Sequence, residues 1–583
     1  MQTPSRTPGR LPAPIIPLVW LLTVALPNGC STSGAGGAPS FEVTLSASAL
    51  AQMAALGLDT PAAGRLFVIL TRDTLREPRL QTGVTGVPFW GLDVGSLGAG
   101  APVTLADGSG VYGYPLPTLA AIPAGEYTVQ ALLNAYTTFE RADGKVVAMH
   151  QETGEGQDLW RSPGNPLSGP LRVRIGNGAA SKIRLALDSV IPPIEPVPNG
   201  GVPQQGNPAD GRLTRFVKIR SEKVSAFWGR DMWMGANVLL PRDYADRPGE
   251  RYPVIYVQGH FPGRSAPFGY SEGEPARGGG ADFTRFWLSD AAPRVILVSI
   301  RDANPFYDTS YSVNSANVGP WGDAIIEELI PYLERTFRII PEPWARVTAG
   351  GSTGGWEALA MQAYYPETFG GAWGWCPDPV DFRYHQIVNL YEDTNAYALE
   401  DEWHEVERPG ARRPDGNIRY TMRDENLYEH AAGPRGRSGG QWAIWEALFG
   451  PVAEDGYAAP IWDPITGVID KDVAAWWREH SDLNQYLQRN WATVGPRLAG
   501  KLHVAVGDMD SFYLEQGVYL LEEFLKTTTA PPALASFEYG RKQPHCWTGF
   551  SRERPGERLS NAEFVRIAAD YMRSNRPRSS GAH

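Results

Sequence analysis

The spacing of hydrophobic and polar positions changes partway along the chain. From Phe41 to about Leu187, short runs such as "GRLFVIL" and "EYTVQALLNAY" are rich in β-branched and aromatic residues, and Gly, Pro, Asp or Asn bound them. In "LRVRI" and "SKIRLAL" apolar residues alternate with polar ones, which is the period of a strand with one buried face. Many short strands without intervening helices predict an all-β sandwich domain over residues 41–190, with one short helix in "SASALAQMAALGL".

A different pattern follows a segment that cannot form a core. Residues 191–211, "IPPIEPVPNGGVPQQGNPADG", are rich in Pro and Gly and predict an extended linker. Beyond it, "RYPVIYVQG" and "PRVILVSI" are nearly continuous apolar runs, typical of strands buried on both faces. Helical spacing appears in "GDAIIEELIPYLERTF", where Pro331 is expected to kink or split the helix. Strands that alternate with helices predict an α/β fold with a mostly parallel sheet over residues 212–576.

One serine lies in a glycine-rich stretch of this alternating region. "VTAGGSTGGWEALAMQ" contains the pattern G-x-S-x-G from Gly350 to Gly354, between a predicted strand and a predicted helix. In that context the pattern presents a nucleophilic serine, and the glycines let strand and helix approach closely. The N–H of Thr353, at the start of the helix, would face developing negative charge. Ser352 is therefore the candidate nucleophile, and the alternative is a structural turn in a glycine-rich chain.

A serine nucleophile needs a general base, and the base needs an acid that orients it. "KLHVAVGDMDSFYLEQGVYLLEEFL" reads as a strand, an acidic turn and a helix, and "FEYGRKQPHCWTGF" reads as a strand followed by a loop with His545. Both fall in the chain order of serine, acid and histidine, and each follows a predicted strand, where the catalytic groups of open α/β sheets gather. Asp510 is the expected acid, with Asp508 as its competitor, and His545 is the expected base.

The region from Leu213 to Arg573 resembles the putative-esterase branch of the α/β-hydrolase superfamily, which includes esterase D-like enzymes, feruloyl esterases and enterochelin esterases. The resemblance rests on "YPVIYVQGHFPG", "GGSTGGWEAL", "VGDMDSF" and "PHCW". It implies an α/β-hydrolase fold in which Ser352 is the nucleophile, His545 the general base and Asp510 the acid.

The sequence departs from the pattern of this branch at two places. Gly351 and Thr353 flank the serine, where the family often has a polar residue and Met. The common "HG" after the third strand reads "GH" here, at Gly259 and His260. The second donor of the oxyanion hole is therefore expected to be the backbone N–H of Phe261, while His260 either lines the pocket or caps a turn.

A long insertion separates "WGWCPDPVDF" from "KLHVAVGD", at about residues 380–498. It is far longer than an ordinary connection between strands, and insertions at this edge of a sheet form lids. We therefore expect a cap over Ser352. Its many Trp and Tyr residues either shape a pocket for a ring-bearing or carbohydrate-linked substrate or pack in the core of the cap. The charged run "EDEWHEVE" is interpreted as the solvated face of a helix.

The amino-terminal segment is typical of a targeting signal. Arg6 and Arg10 precede the apolar run "LPAPIIPLVWLLTVALPNGC", which predicts a cleaved signal over residues 1–30. Cys30 follows a glycine and resembles the lipidated cysteine of bacterial lipoproteins. A lipid anchor at Cys30, plain secretion and a retained apolar tail all remain open, and the expected location is secreted, periplasmic or cell-surface. Residues 31–40, "STSGAGGAPS", predict a flexible tether.

Composition and motifs exclude several other functions. The chain has 583 residues, a formal net charge of -11 and a pI near 5.5, which argues against nucleic acid and against attachment to anionic membranes by a basic surface. It has no C-x-x-C, H-E-x-x-H, calcium-loop, P-loop or dinucleotide motif, so no cofactor and no catalytic metal are predicted. Cys376 and Cys546 either form a bridge in an oxidising compartment or stay as unpaired thiols.

The hypothesis from the sequence is a secreted or lipid-anchored serine esterase that hydrolyses a small-molecule or glycan-linked carboxylic ester through an acyl-enzyme. One alternative is a peptidase or amidase that uses the same three side chains, because esters and amides are cleaved by one set of groups. The other is a surface protein whose β-sandwich binds glycan or a partner while its hydrolase domain is inert.

Overall fold

The computed structural model describes residues 38–150, 158–176, 181–193, 209–259, 266–272, 279–401 and 403–577. The predicted signal and most of the predicted tether and linker therefore lie outside the described residues. Among the residues described, no helix has both the length and the apolar character needed to cross a bilayer.

The amino-terminal region is built mainly from strands. Its elements are β1 (Ser40–Leu45), α1 (Ala47–Ala55), β2 (Ala62–Thr71), β3 (Phe89–Leu97), β4 (Pro102–Leu105), β5 (Val111–Tyr114), β6 (Gly125–Glu140), β7 (Val146–His150), β8 (Pro166–Leu167), β9 (Leu171–Ile175), β10 (Lys182–Leu187) and β11 (Ser189–Val190). One sheet has the order β10-β1-β4, and the other has the order β11-β8-β6-β2-β3-β5, with β7 and β9 also paired to β6. The predicted short helix is present as α1, which begins after Ser46, whose side chain accepts a hydrogen bond from the Ala49 N–H.

The two sheets share one apolar core. In β1, every second residue is buried, and Phe41 and Val43 contribute to the same buried cluster as Leu66 and Val68 of β2. The alternation along β1 places its apolar side chains on one face, as a strand with one solvated face requires.

The next region alternates strands with helices. Its elements are β12 (Thr214–Ser221), α2 (Glu222–Trp228), β13 (Met232–Leu239), β14 (Val254–Gln258), α3 (Gly279–Leu288), β15 (Ile296–Arg301), β16 (Asn314–Ser315), β17 (Gly319–Pro320), α4 (Trp321–Ala324), α5 (Ile330–Thr336), β18 (Arg346–Gly351), α6 (Thr353–Tyr364) and β19 (Gly371–Trp375). The helix in which Pro331 was expected to cause a break is divided, because a π-helical segment, Ile325–Leu329, joins α4 to α5. Pro331 has no N–H to donate, and the wider turn before it accommodates the missing hydrogen bond.

The insertion after β19, called the cap below, follows. Its elements are β20 (Ala398–Glu400), β21 (Glu405–Glu407), β22 (Pro409–Arg412), β23 (Ile418–Thr421), α7 (Met422–Ala432), α8 (Gln441–Phe449), α9 (Lys471–His480) and α10 (Leu483–Leu498). The interpretation of "EDEWHEVE" as a helix face is wrong, because β20 and β21 pair as an antiparallel hairpin there. The run is solvated in β21, whose three residues are exposed, and a two-stranded hairpin exposes charged side chains as readily as a helix does.

The chain ends with β24 (Leu502–Gly507), α11 (Glu515–Thr527), β25 (Ser536–Gly540) and α12 (Asn561–Ser574). The main sheet has the order β12-β13-β15-β14-β18-β19-β24-β25. Strands from β15 to β25 in this order pair in parallel, and the pairs of β13 with β12 and with β15 are antiparallel. The prediction of a mostly parallel sheet within an α/β domain is therefore confirmed.

Tryptophan side chains fill the interior of the cap. Trp442, Trp445, Trp462 and Trp477 are between 0% and 3% exposed. Trp442, Trp445 and Trp477 surround the ring of His385, with ring centroids 4.7 to 5.4 Å from it. Packing within the cap therefore accounts for these four aromatic residues.

The amino-terminal sheets also contact the cap. Arg65 of β2 is fully buried and donates hydrogen bonds to the Ala431 carbonyl of α7, at 2.9 Å, and to Asp93 of β3, at 2.6 Å. Asp93 also accepts a hydrogen bond from Arg437 of the cap at 2.5 Å. These contacts bind the cap to the amino-terminal sheets.

Candidate active site

Ser352 lies on a tight turn between β18 and α6. Its φ of 58° and ψ of -125° fall in a region that side-chain-bearing residues rarely adopt, which indicates local strain. The turn is held because the Ser352 N–H donates to the Trp375 carbonyl of β19 at 2.9 Å, and the Ser352 carbonyl accepts from the Gly355 N–H at 2.8 Å. The serine hydroxyl is thus presented at the carboxyl end of a central strand.

Three glycines make this turn possible by close backbone approach. A Cβ atom would lie 2.3 Å from the Gly354 carbonyl oxygen if it were added to Gly350, and 2.4 Å from the Gln258 oxygen if it were added to Gly354. A Cβ atom on Gly355 would lie 2.5 Å from the Trp375 oxygen. The first turn of α6 therefore packs directly against the backbones of β14 and β19.

A continuous series of hydrogen bonds runs from Ser352 to a buried carboxylate. The Nε2 atom of His545 is 2.8 Å from the Ser352 hydroxyl oxygen, and its Nδ1 atom is 2.7 Å from an oxygen of Asp510. Asp510 is 0% exposed, and its second oxygen accepts a hydrogen bond from the Phe512 N–H at 2.9 Å. The ring of Phe512 packs edge-on against the His545 ring, with centroids 5.0 Å apart.

The two carboxylates after β24 have different partners. Asp508 accepts a hydrogen bond from the Lys542 N–H at 2.5 Å and thus links the ends of β24 and β25. Asp510 is the one that contacts His545. The geometry therefore favours Asp510 over its competitor as the group that orients the ring.

Opposing effects act on the pKa of His545. Burial lowers it, but the Asp510 carboxylate raises it through its charge and its hydrogen bond, and the net result lies above the ordinary histidine value. The charged carboxylate stabilises the protonated ring, which is the form that a general base reaches after it takes a proton.

A further carboxylate, which the sequence did not single out, also contacts the serine. Asp378 lies just beyond β19, and its Oδ1 atom is 3.3 Å from the Ser352 hydroxyl oxygen. Its Oδ2 atom accepts hydrogen bonds from Tyr311, at 2.6 Å, from Thr353, at 3.1 Å, and from Gln441 of the cap, at 3.3 Å. Hydrogen bonds from three side chains thus hold this carboxylate in place beside the serine. Its place after a central strand was the one available signal, because side chains at that edge gather around the site.

The cap contacts both aspartates of the site. Trp445 of α8 donates to the Tyr311 hydroxyl at 2.9 Å, and this hydroxyl in turn contacts Asp378. Arg412, at the end of β22, donates to the backbone carbonyl of Asp510 at 2.9 Å and to the buried carboxylate of Glu515 at 2.6 Å. The expectation that the insertion lies near Ser352 fits these contacts, but no feature of the insertion's sequence identified Arg412 or the helix that carries Trp445.

A buried acidic pair supports the loop that carries Tyr311. The Thr309 hydroxyl is 2.5 Å from Glu357 of α6 and 3.2 Å from Asp302, which follows β15. Burial raises the pKa of Glu357 well above its ordinary value, and the nearby Asp302 carboxylate raises it further. A protonated Glu357 can share a hydrogen bond with its neighbours without adding charge beneath the serine.

The remaining predicted site residues are Thr353, Phe261, His260 and Cys30. Thr353 is the first residue of α6, and its backbone N–H lies at the amino-terminal end of that helix. Phe261, the expected second oxyanion donor, and His260, the pocket or turn candidate, lie outside the described residues. So does Cys30, the candidate lipidation site.

A strained serine after a strand, a histidine on its hydroxyl and a carboxylate on the far ring nitrogen form the side-chain arrangement of the serine hydrolases. Comparison with known proteins gives the family. The family described as "Putative esterase" matches residues 228–555, more than half of the chain. The chain belongs to this family, and the resemblance inferred from the sequence motifs is confirmed.

Two curated relatives share part of this region. One is an endo-1,4-beta-xylanase/feruloyl esterase of Xylanibacter ruminicola, 29% identical over 147 residues that cover 24% of this chain and 19% of the relative. The other is an esterase of Mycobacterium tuberculosis, 33% identical over 146 residues that cover 24% of this chain and 28% of the relative. The chain thus matches less than a third of the length of either relative.

Solved structures with some similarity include a ferulic acid esterase, with 15% identity and a TM-score of 0.33 over 57% of this chain and 92% of that chain. An S-formylglutathione hydrolase of Agrobacterium tumefaciens has 13% identity and a TM-score of 0.30, over 63% of this chain and 96% of that chain.

We expect Asp510 to raise the pKa of His545 in solution. Asp510→Asn removes the charge that stabilises the protonated ring, so the pKa of His545 should fall by at least about one pH unit. The measurement is an NMR titration of selectively ¹³C-labelled histidine, in which the His545 signal is assigned by its absence from His545→Gln.

Asp508→Asn is the matched control, because it removes a charge two positions away that does not contact the ring. It should leave the titration of His545 nearly unchanged. Equal shifts in the two variants would mean that Asp510 does not hold the ring in solution.

Proposed function

We propose that this protein is a serine carboxylic ester hydrolase with an α/β-hydrolase fold, preceded by a β-sandwich domain. The observation that carries the proposal is the unbroken hydrogen-bonded series from Ser352 through His545 to Asp510, at 2.8 and 2.7 Å. Membership of the esterase family and the strand order of the main sheet support it. The esterase names of the relatives point to the same reaction.

The proposed reaction begins with attack of the Ser352 oxygen on the ester carbonyl, while His545 accepts the hydroxyl proton. The Asp510 carboxylate stabilises the imidazolium that forms. The N–H of Thr353, and by the sequence argument that of Phe261, would donate to the oxyanion. His545 then protonates the leaving alcohol, and water attacks the acyl-enzyme by the same route to release the acid.

Asp378 places a carboxylate beside the proposed acyl site. Its Oδ1 atom is 3.3 Å from the attacking oxygen, so a negatively charged acyl group would have to approach a carboxylate. At an effective dielectric constant near 20, two like charges about 6 Å apart repel by about 3 kcal/mol. We therefore propose that neutral acyl groups are preferred over anionic ones.

The proposed location is the cell surface, the periplasm or the medium, with a lipid anchor at Cys30 as one form. This proposal is supported by the charged start, the apolar run and the cysteine of the amino-terminal segment. Determining the mature amino terminus and its modification by mass spectrometry tests it, because an unprocessed first residue would contradict it.

Ser352→Ala should lower kcat on short p-nitrophenyl esters by at least about ten-thousandfold, because it removes the nucleophile. The fold should be unchanged, as judged by circular dichroism and the melting temperature. Ser574→Ala, which changes an exposed hydroxyl in α12, is the matched control and should keep full activity. Wild-type turnover in Ser352→Ala would refute the assignment of the nucleophile.

Asp378→Asn should change acyl selectivity. The ratio of kcat/KM for a p-nitrophenyl hemisuccinate to kcat/KM for the uncharged butyrate should rise on the order of a hundredfold, because the repelling charge is gone. An unchanged ratio of the two kcat/KM values would show that Asp378 does not face the acyl group. Asp508→Asn serves as the control for the loss of a nearby charge.

A further inference from the structure

Two cysteine thiols meet beside the candidate site. Cys376 directly follows β19 and is fully buried, and Cys546 directly follows His545 in the chain and is exposed. The two Sγ atoms and a ring nitrogen of His545 all lie within 4.8 Å of one another. Two segments that are far apart in the sequence thus place two sulfur atoms beside the candidate base, His545.

Cys376 belongs to the segment that holds the serine turn. Its N–H donates to the Ala505 carbonyl of β24 at 2.6 Å, and the preceding carbonyl, of Trp375, accepts from the Ser352 N–H at 2.9 Å. A Cβ atom on Gly351 would lie 3.9 Å from the Cys376 sulfur. The buried thiol is therefore fixed directly against the backbone of the nucleophile turn.

Cys546 belongs to the turn that carries the base. That turn is bound to the ends of β24 and β25, because the Gln543 carbonyl accepts from the Met509 N–H at 3.2 Å, and the Gln543 N–H donates to Gly540 at 3.1 Å. Cys546 has a φ of 63° and Cys376 a φ of 37°, so both cysteines occupy backbone conformations that residues with side chains seldom adopt. This turn therefore lies against the segment beside Ser352, and the contact is made by the His545 ring and the two thiols.

We propose that Cys376 and Cys546 form a reversible disulfide that ties the His545 turn to the segment beside Ser352. A disulfide needs its sulfurs about 2.0 Å apart, so the two thiols, which are free in this structure, must approach each other further when the bond forms. The inference goes beyond ester hydrolysis and does not depend on it.

The two thiols differ in the way that thiol–disulfide exchange requires. The contact with Cys376 lowers the pKa of Cys546 below its ordinary value, and the contact with His545 lowers it further. Burial raises the pKa of Cys376 well above its ordinary value. Cys546 is thus the exposed thiol suited to the first attack, and the buried Cys376 is the partner that resolves the mixed disulfide.

The oxidant is a low-molecular-mass disulfide, such as glutathione disulfide. The Cys546 thiolate attacks one of its sulfurs, the S–S bond breaks, and glutathione thiolate leaves. Cys376 transfers its proton through solvent to that thiolate and attacks the Cys546 sulfur, and a second glutathione thiolate leaves and is protonated from solvent. The protein loses two electrons as a pair of thiols, and glutathione disulfide gains them to form two thiols.

The direct test is a non-reducing peptide map. The full chain is incubated with excess glutathione disulfide, alkylated and digested with trypsin. We expect residues 347–383 and 543–552 to be recovered as one linked pair that separates on reduction. Cys376→Ser and Cys546→Ser should each lack the pair, and recovery of both cysteines in alkylated form from the oxidised wild type would overturn the proposal.

Thermal unfolding tests whether the bond constrains the turn. The oxidised wild type should melt at a higher temperature than the reduced wild type, because the cross-link restricts the unfolded chain. Cys30→Ser should keep this difference, since Cys30 is not part of the pair. Ser352→Ala should form the same linked peptides, so a failure of the disulfide is distinguishable from a failure of the proposed esterase. An equal melting temperature in both redox states contradicts the proposal.

Discussion

The tight turn at Ser352 is the constraint on which the rest of the site depends. Its backbone conformation is strained, and glycines at 350, 354 and 355 leave no room for a Cβ atom against β14 and β19. Close packing of this kind fixes the serine oxygen at the carboxyl edge of the sheet before any other group is added. The residues that follow β19, β24 and β25 then surround that oxygen. They meet there because these strands run in parallel within one sheet, so their carboxyl ends lie at the same edge.

Two carboxylates border the serine with different consequences. Asp510 acts through His545, where its charge favours the protonated ring. Asp378 contacts the hydroxyl itself and is joined by Tyr311 to the cap helix that carries Gln441. The first arrangement supports proton transfer in the proposed mechanism, and the second links the shape of the cap to the surroundings of the reacting oxygen. Arg412 adds a second connection, since it binds the Asp510 backbone from the cap.

Local pattern was sufficient where a few adjacent residues decide the structure. The strand–turn–helix around Ser352 and the strands before Asp510 and His545 were predictable, because apolar runs, glycines and chain order are local signals. Contacts such as Asp378 with Tyr311 join distant segments, and no single stretch encodes them. Periodicity could not predict the structure of the charged run at residues 400–407, because a short polar segment is compatible with a hairpin as well as with a helix. The buried tryptophans of the cap could be assigned to packing only once their neighbours were known.

The central claim is that Ser352 becomes acylated during turnover. The most direct measurement is an acid quench of the full chain in the first turnover of p-nitrophenyl acetate, followed by tryptic mass mapping. We expect a burst of nitrophenol and one acetyl group within residues 347–383, located on Ser352 by fragmentation. An acetyl group on another side chain during productive turnover, such as the thiol of Cys546, or hydrolysis with no acylated peptide, would contradict it.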